Sequence, residues 1–224
     1  MLRVFAIGRD ASADALATLS AGATVRRLRE GDEVWAQGAP SNRVVLIQSG
    51  LVQIARAHSV MVPVTVALFG PREVAGLVAV LQRVPYPAAA RVVSEFADII
   101  EISDEAFHAA LHADHGVARS ANVALVGQIH ALHAKISMLT NGDTEERLVT
   151  LVAHLAERFG DEDESGATII PLILTRRMMG ELVGARTETV IRTLAKWQQA
   201  NVFATLPIGF RIASLPKLMA LLQA

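Results

Sequence analysis

The sequence predicts an α+β chain: a strand-rich N-terminal half, one long helix, and a helical C-terminal module closed by a small hairpin. Three observations carry this. Residues 24–102 alternate at strand period between regular turn signals. From Val117 to about Leu139 apolar residues recur at three- and four-residue steps without a breaker. Residues 175–210 read as two short helices across a glycine, then a hairpin. The expected division is 1–116, 117–140 and 141–224.

Composition narrows the class. A chain of 224 residues that is 52% apolar can bury a large core, and 4% aromatics make that core mainly aliphatic. The absence of cysteine excludes disulfides, thiolate metal sites, a cysteine haem ligand and cysteine-ligated iron–sulfur clusters. The opening M-L-R-V-F-A-I-G-R-D lacks a signal-peptide pattern, and every apolar run is interrupted before about 18 residues. The expectation is a cytoplasmic protein with no membrane partner. No nucleophile–base constellation or phosphate loop is present, so nothing suggests an enzyme.

Among the strands, V-R-R-L-R alternates, the chain turns at Gly31, and R-V-V-L-I-Q-S-G-L-V-Q-I-A-R-A suggests a hairpin turning at Ser49-Gly50. V-P-V-T-V-A-L-F and A-A-A-R-V-V-S-E-F-A-D-I-I-E-I-S continue the pattern, with room for one short helix between Glu73 and Leu81. Ser103 is placed to cap a helix that ends near His115-Gly116. The long helix then carries Val123, Val126, Ile129, Leu132 and Ile136 as an apolar stripe. A helix of that length and character suits a partner helix, which makes homodimerisation the expectation. A turn at Gly142-Asp143 precedes a helix to about Phe159, and Gly160–Gly166 reads as an exposed acidic loop.

In the C-terminal module Thr175 caps a helix whose buried side is Met178, Met179, Leu182 and Val183, and Gly184 ends it. Thr187 is expected to cap the second helix, with Val190, Ile191, Leu194 and Trp197 inside. Its first turns would offer Arg186, Thr187, Glu188 and Arg192 to the major groove of DNA. The charge distribution favours DNA reading. From Ser165 onward seven Lys or Arg face two acids, whereas the first 164 residues carry 14 bases and 20 acids. The alternative is a small-molecule-binding or protein-interaction module whose helix pair does not read DNA.

The string L-T-R-R-M-M-G-E-L-V-G-A-R-T-E-T-V-I-R-T-L resembles the helix-turn-helix signature of the bacterial cyclic-AMP receptor protein and fumarate–nitrate regulator superfamily. R-E-G-D-E-V-W-A-Q-G-A-P-S-N-R-V-V-L-I-Q-S-G-L-V-Q-I and A-D-I-I-E-I-S-D-E-A-F extend the resemblance over nearly the whole chain. It implies an N-terminal cyclic-nucleotide-binding-like β-roll, a long dimerisation helix and a C-terminal winged helix-turn-helix. It also implies a homodimeric transcription regulator on an inverted-repeat promoter site. Glu188 and Arg192 match the family's base-reading glutamate and arginine, while Thr187 stands where the cyclic-AMP receptor has a further base-contacting arginine. Arg176, Arg177, Lys196 and Arg211 are assigned to phosphates. RNA polymerase is the further protein partner expected of such a regulator.

The effector pocket departs from the pattern. Aligning on Gly76 puts Leu77 over the family's ribose-binding glutamate, and aligning on Glu101-Ile102-Ser103 puts Pro87-Ala88 over its phosphate-binding Arg-Ser pair. No carboxylate, cation or hydroxyl remains at those places, unless Arg83 or Arg91 substitutes from a shifted register. Cyclic AMP is therefore not the expected ligand. A different, mainly apolar effector, a histidine-held haem, or no effector remain as alternatives. His108/His112 and His130/His133 have ligand-like spacing but no evident third ligand, so no metal site is assigned.

Overall fold

The computed structural model of the chain describes residues 2–58, 61–140 and 142–220, without the side chains of 57, 58, 61–64 and 137–140. Leu139, the expected end of the long apolar run, thus lies outside the described side chains. The chain forms two compact units, Met1–Ile129 and His130–Ala224, whose division falls inside the long helix.

Unit one opens with a segment for which the sequence pattern predicts no structure. Two short 3-10 turns, Leu2–Val4 and Ala6–Gly8, lead to α1 (Ala13–Ala21), where the Ser12 hydroxyl accepts from the Ala15 amide as an N-cap. Leu2, Phe5, Ile7 and Leu19 from this segment are buried. The segment's apolar residues are irregularly spaced, so periodicity could not reveal it.

Among the described residues the roll has eight strands: β1 (Ala23–Arg29), β2 (Glu33–Trp35), β3 (Arg43–Ser49), β4 (Val52–His58), β5 (Met61–Phe69), β6 (Val74–Ala75), β7 (Ala89–Val92) and β8 (Phe96–Ser103). They form two antiparallel sheets ordered β1-β8-β3-β6 and β2-β7-β4-β5. The expected hairpin at Ser49-Gly50 is therefore not one, because β3 and β4 belong to different sheets. Gly50 has φ 79°, and a Cβ there would strike the Phe96 carbonyl, so the chain turns in close contact with β8 as it changes sheet. Period-two alternation on β3 explains its unbroken apolar run. Val44 and Leu46 join a core with α1 and the later helices, whereas Val45 and Ile47 point into the roll with Val52, Val92 and Ile99. Among the described residues, the one helix between the strands is α2 (Leu77–Gln82), with Gly76 at its N-cap.

Ser103 caps α3 (Asp104–Ala113) as expected, its hydroxyl accepting from the Ala106 amide. The long helix α4 spans His115–Thr140, two residues earlier than the expected start at Val117. Asp114 explains the early start: its carboxylate accepts from the Val117 and Ser12 amides. The Ser12 side chain first, and then the Val117 and Ser12 amides, hold its pKa down to about 2.

Unit two packs α5 (Thr144–Phe159), α6 (Arg176–Val183), α7 (Thr187–Gln199) and α8 (Leu215–Ala220) with a sheet of β9 (Asp161–Glu162), β10 (Thr168–Ile170), β11 (Phe203–Leu206) and β12 (Gly209–Ile212), ordered β11-β12-β10-β9. Asp143 and Glu146 form a reciprocal capping box at the start of α5. The acidic loop is shorter than expected, since β9 (Asp161–Glu162) pairs with β10 (Thr168–Ile170). Pro171, which cannot donate a ladder hydrogen bond, follows the last residue of β10, and Leu172 and Leu174 are buried beyond it. β11 (Phe203–Leu206) and β12 (Gly209–Ile212) form the expected wing hairpin.

Candidate nucleic-acid interface and effector region

Thr175 caps α6 through Met178 N–H···Oγ1 at 3.2 Å, and Met178, Met179, Leu182 and Val183 are buried. Gly184 ends the helix at φ 66°, ψ 39°, a left-handed conformation that glycine adopts without a Cβ penalty. The Arg147 guanidinium on α5 donates to the Val183 carbonyl at 3.1 Å, satisfying one of that helix's open C-terminal acceptors. The cap of α7 differs from expectation: Arg186 occupies the N-cap with no side-chain bond, and Thr187 is the first helical residue.

Val190, Thr193, Leu194 and Trp197 form the buried side of α7. Ile191, expected among them, is instead 52% exposed. Trp197 Nε1–H donates to Glu145 Oε1 at 2.9 Å, which pins α7 to α5 and fixes the opposite face outward. On that outward face Arg186, Glu188 and Arg192 are exposed and Thr187 is half-buried. Glu188 and Arg192 do not pair with each other, and neither side chain has a hydrogen-bond or ion-pair partner among the described residues. A groove of about 490 Å3 lies between the two helices, lined by Arg177, Glu181, Arg186, Thr187 and Glu188 with two glycines. An exposed carboxylate and guanidinium at the start of a second helix can accept from cytosine N4 and donate to guanine O6 and N7.

The four cations assigned to phosphates are all engaged within the unit. Arg176 is half-buried, donates to Thr205 Oγ1 at 2.6 Å and lies 5.8 Å from the Phe203 and Phe210 ring centres. Burial lowers its pKa. Lys196 pairs with Glu145 at 2.9 Å, and Arg211 pairs with Asp163 at 3.1 Å while donating to Ser165 Oγ at 2.8 Å. The Ser165 hydroxyl first, and Arg211 among the smaller causes, hold Asp163 down to about 2. Arg177 pairs with Glu181 one turn along α6 but keeps a side chain 75% exposed. Local sequence could not show the long-range pairings, because Glu145, Asp163 and Thr205 lie 29 to 51 residues from their partners.

In the roll, Leu77 and Ala88 are buried, Pro87 is exposed, and Gly76 sits against an aromatic pair. The rings of Trp35 and Tyr86 stack with centres 4.3 Å apart. Trp35 Nε1–H donates to the Ala88 carbonyl at 2.9 Å, and the Tyr86 hydroxyl donates to the Arg43 carbonyl at 2.5 Å. Burial pushes the Tyr86 phenol up to about 12, keeping it a neutral donor. A Cβ on Gly76 would come within 3.2 Å of Tyr86 and 3.5 Å of Trp35. The pair thus bridges both ends of the segment from Gly76 to Ala88. Sequence reasoning missed it, since the rings are 51 residues apart. Arg83 is exposed, and Arg91 pairs with Glu33 at 3.2 Å on the surface.

His108 Nε2 lies 3.2 Å from the Val80 carbonyl, with its ring 6.1 Å from that of His112. His130 and His133 are exposed on α4. Among the described residues no group of three or more His, Asp or Glu could hold a metal ion, and no helix is long and apolar enough to cross a membrane.

A β-roll followed by a long helix and a winged helix-turn-helix, with unpaired polar side chains on the outward face of its second helix, is the architecture of a class of DNA-binding regulator. Comparison with known proteins agrees. The family description Cyclic nucleotide-binding domain matches residues 25–114, and Crp-like helix-turn-helix domain matches residues 146–221. The chain belongs to the cyclic-AMP receptor protein and fumarate–nitrate regulator superfamily, and it is a DNA-binding transcription regulator. It is 26% identical to the CRP-like cAMP-activated global transcriptional regulator of Mycobacterium tuberculosis over 165 residues, 74% of this chain and 73% of the relative. It is 27% identical to the Global nitrogen regulator of Synechococcus elongatus over 190 residues, 80% and 81% of the two chains. The solved structure of FixK2 from Bradyrhizobium japonicum shares the fold, with a TM-score of 0.74 at 20% identity over 89% of this chain and 96% of that one.

Proposed function

We propose that the chain acts as a homodimer that reads an inverted-repeat promoter site, one α7 in the major groove of each half-site. The observation that carries this reading is the outward face of α7, where Glu188 and Arg192 have no partner to give up before meeting base edges. Arg186 and Thr187 add contacts at the groove entrance. Dimerisation follows from α4: Val123, Val126, Ile129, Leu132 and Ile136 are 49 to 57% exposed within one chain, more apolar surface than a solvated helix face needs. Arg177 carries phosphate positioning, while Arg176, Lys196 and Arg211 serve chiefly as struts. RNA polymerase is a further partner, and the protein works in the cytoplasm, beside chromosomal DNA.

The effector is not a cyclic nucleotide. Leu77, Pro87 and Ala88 offer no charge to a ribose or cyclic phosphate, and the Trp35–Tyr86 stack fills the space against Gly76. Any other ligand, an apolar molecule or a haem held by histidine, must bind the DNA-competent and incompetent dimers with different affinity to act as a switch.

Selection from a random duplex pool tests the DNA reading. The expected outcome is an enriched inverted repeat whose affinity falls steeply with salt. A pool that gains no shared sequence while the protein binds all duplexes alike would contradict it.

A further inference from the structure

The one large apolar side chain on the exposed surface of α7 is Ile191, 52% exposed, while Arg186, Glu188, Arg192, Lys196, Gln198 and Gln199 make the rest polar. Helix surfaces take Glu, Lys or Gln more favourably than a β-branched residue, and this one is not among the buried residues of the helix, Val190, Thr193, Leu194 and Trp197. Its position is specific. At about 100° per residue, Ile191 lies about 60° from Glu188 on the Thr187 side, and Arg192 about 40° on the other. The four side chains therefore share one face within a single turn and a half of helix, with the apolar group between two polar ones.

We propose that Ile191 is a further specificity residue, whose side chain packs on the 5-methyl group of a thymine in each half-site. The proposal rests on the reading of α7 as the DNA-recognition helix. Glu188 and Arg192 supply hydrogen bonds to the edges of cytosine and guanine, which cannot recognise thymine. The thymine methyl is the one apolar group that projects into the major groove, and an apolar side chain is its natural complement. Together the face would read a mixed half-site by two hydrogen-bonding contacts and one apolar contact.

The test uses the full chain and the selected duplex, with each thymine replaced in turn by deoxyuridine, which removes the methyl group and leaves the pairing edge intact. One position per half-site is expected to lose about fourfold in affinity, the effect of one buried methylene-sized group, and about fifteenfold when both half-sites are changed. Ile191→Ala is expected to bind the thymine and deoxyuridine duplexes equally, at unchanged thermal stability, whereas Glu188→Ala keeps the difference. Indifference of the wild type to every replacement, with sequence preference otherwise intact, would overturn the role of Ile191 and leave the recognition helix standing. Persistence of the methyl effect in Ile191→Ala would overturn it too. Loss of all sequence preference in the wild type would overturn the recognition-helix reading, and this proposal with it.

Discussion

At the scale of single residues, the free side chains and the paired ones should behave differently. Glu188→Ala and Arg192→Ala should each lose discrimination at one half-site position, by about 1 to 3 kcal/mol against the preferred base. Arg177→Ala should weaken all duplexes alike and lower the salt slope by about one. Binding curves on specific and random duplexes check both; equal losses on the two for Glu188→Ala would remove its base-reading role. His154 on α5 gives a pH prediction. Burial first, then Arg158, lowers its pKa from 6.5 to about 4. The unfolded chain therefore takes up the proton at higher pH than the folded one, so stability is full above about 6.5 and lost as pH falls toward 4. Denaturant midpoints of His154→Gln should decline less over that window. The exposed placement of Glu188 and Arg192 was legible in the sequence because the motif that places them is local. Ile191 was not: it neighbours a truly buried Val190, and a three-to-four residue period cannot separate positions one step apart at the edge of a stripe.

At the scale of elements, α4 carries the main prediction. Val126→Asp or Ile129→Asp should place a charge in the proposed subunit seam, cost several kcal/mol of association and abolish binding to the full repeat. Sedimentation of each variant at micromolar concentration checks this, and a variant that remains dimeric would move the interface elsewhere. The helices were read well where their ends carry chemistry: Ser103, Thr175 and Gly184 act as anticipated. Asp114 and Arg186 were missed as terminal residues, because the first caps by a carboxylate just before the long run and the second caps without a side-chain bond. Strand periods located the roll, yet pairing depends on contacts distant in sequence. That is why β3 and β4 looked like a hairpin although each finds its partners elsewhere.

At the scale of the whole molecule, the fold class was legible because several local patterns agree on it, while the interior of the roll was not. Missing polar residues at Leu77, Pro87 and Ala88 could be read from the chain, but the Trp35–Tyr86 stack that closes the same region required the fold. Titration with cyclic AMP or cyclic GMP should accordingly give no saturable heat at micromolar ligand and no change in DNA affinity. Saturable binding of either would show that the aromatic pair yields and that Arg83 or Arg91 takes the phosphate. The proposed dimer sets one copy on each of two half-sites. Its most direct test is the sedimentation of the protein with the full selected repeat and with one isolated half-site. The expected result is two chains per full duplex, half-sites about 34 Å apart on one face, and a large loss of affinity for the single half-site. One chain per full duplex, with equal affinity for the half-site, would contradict it.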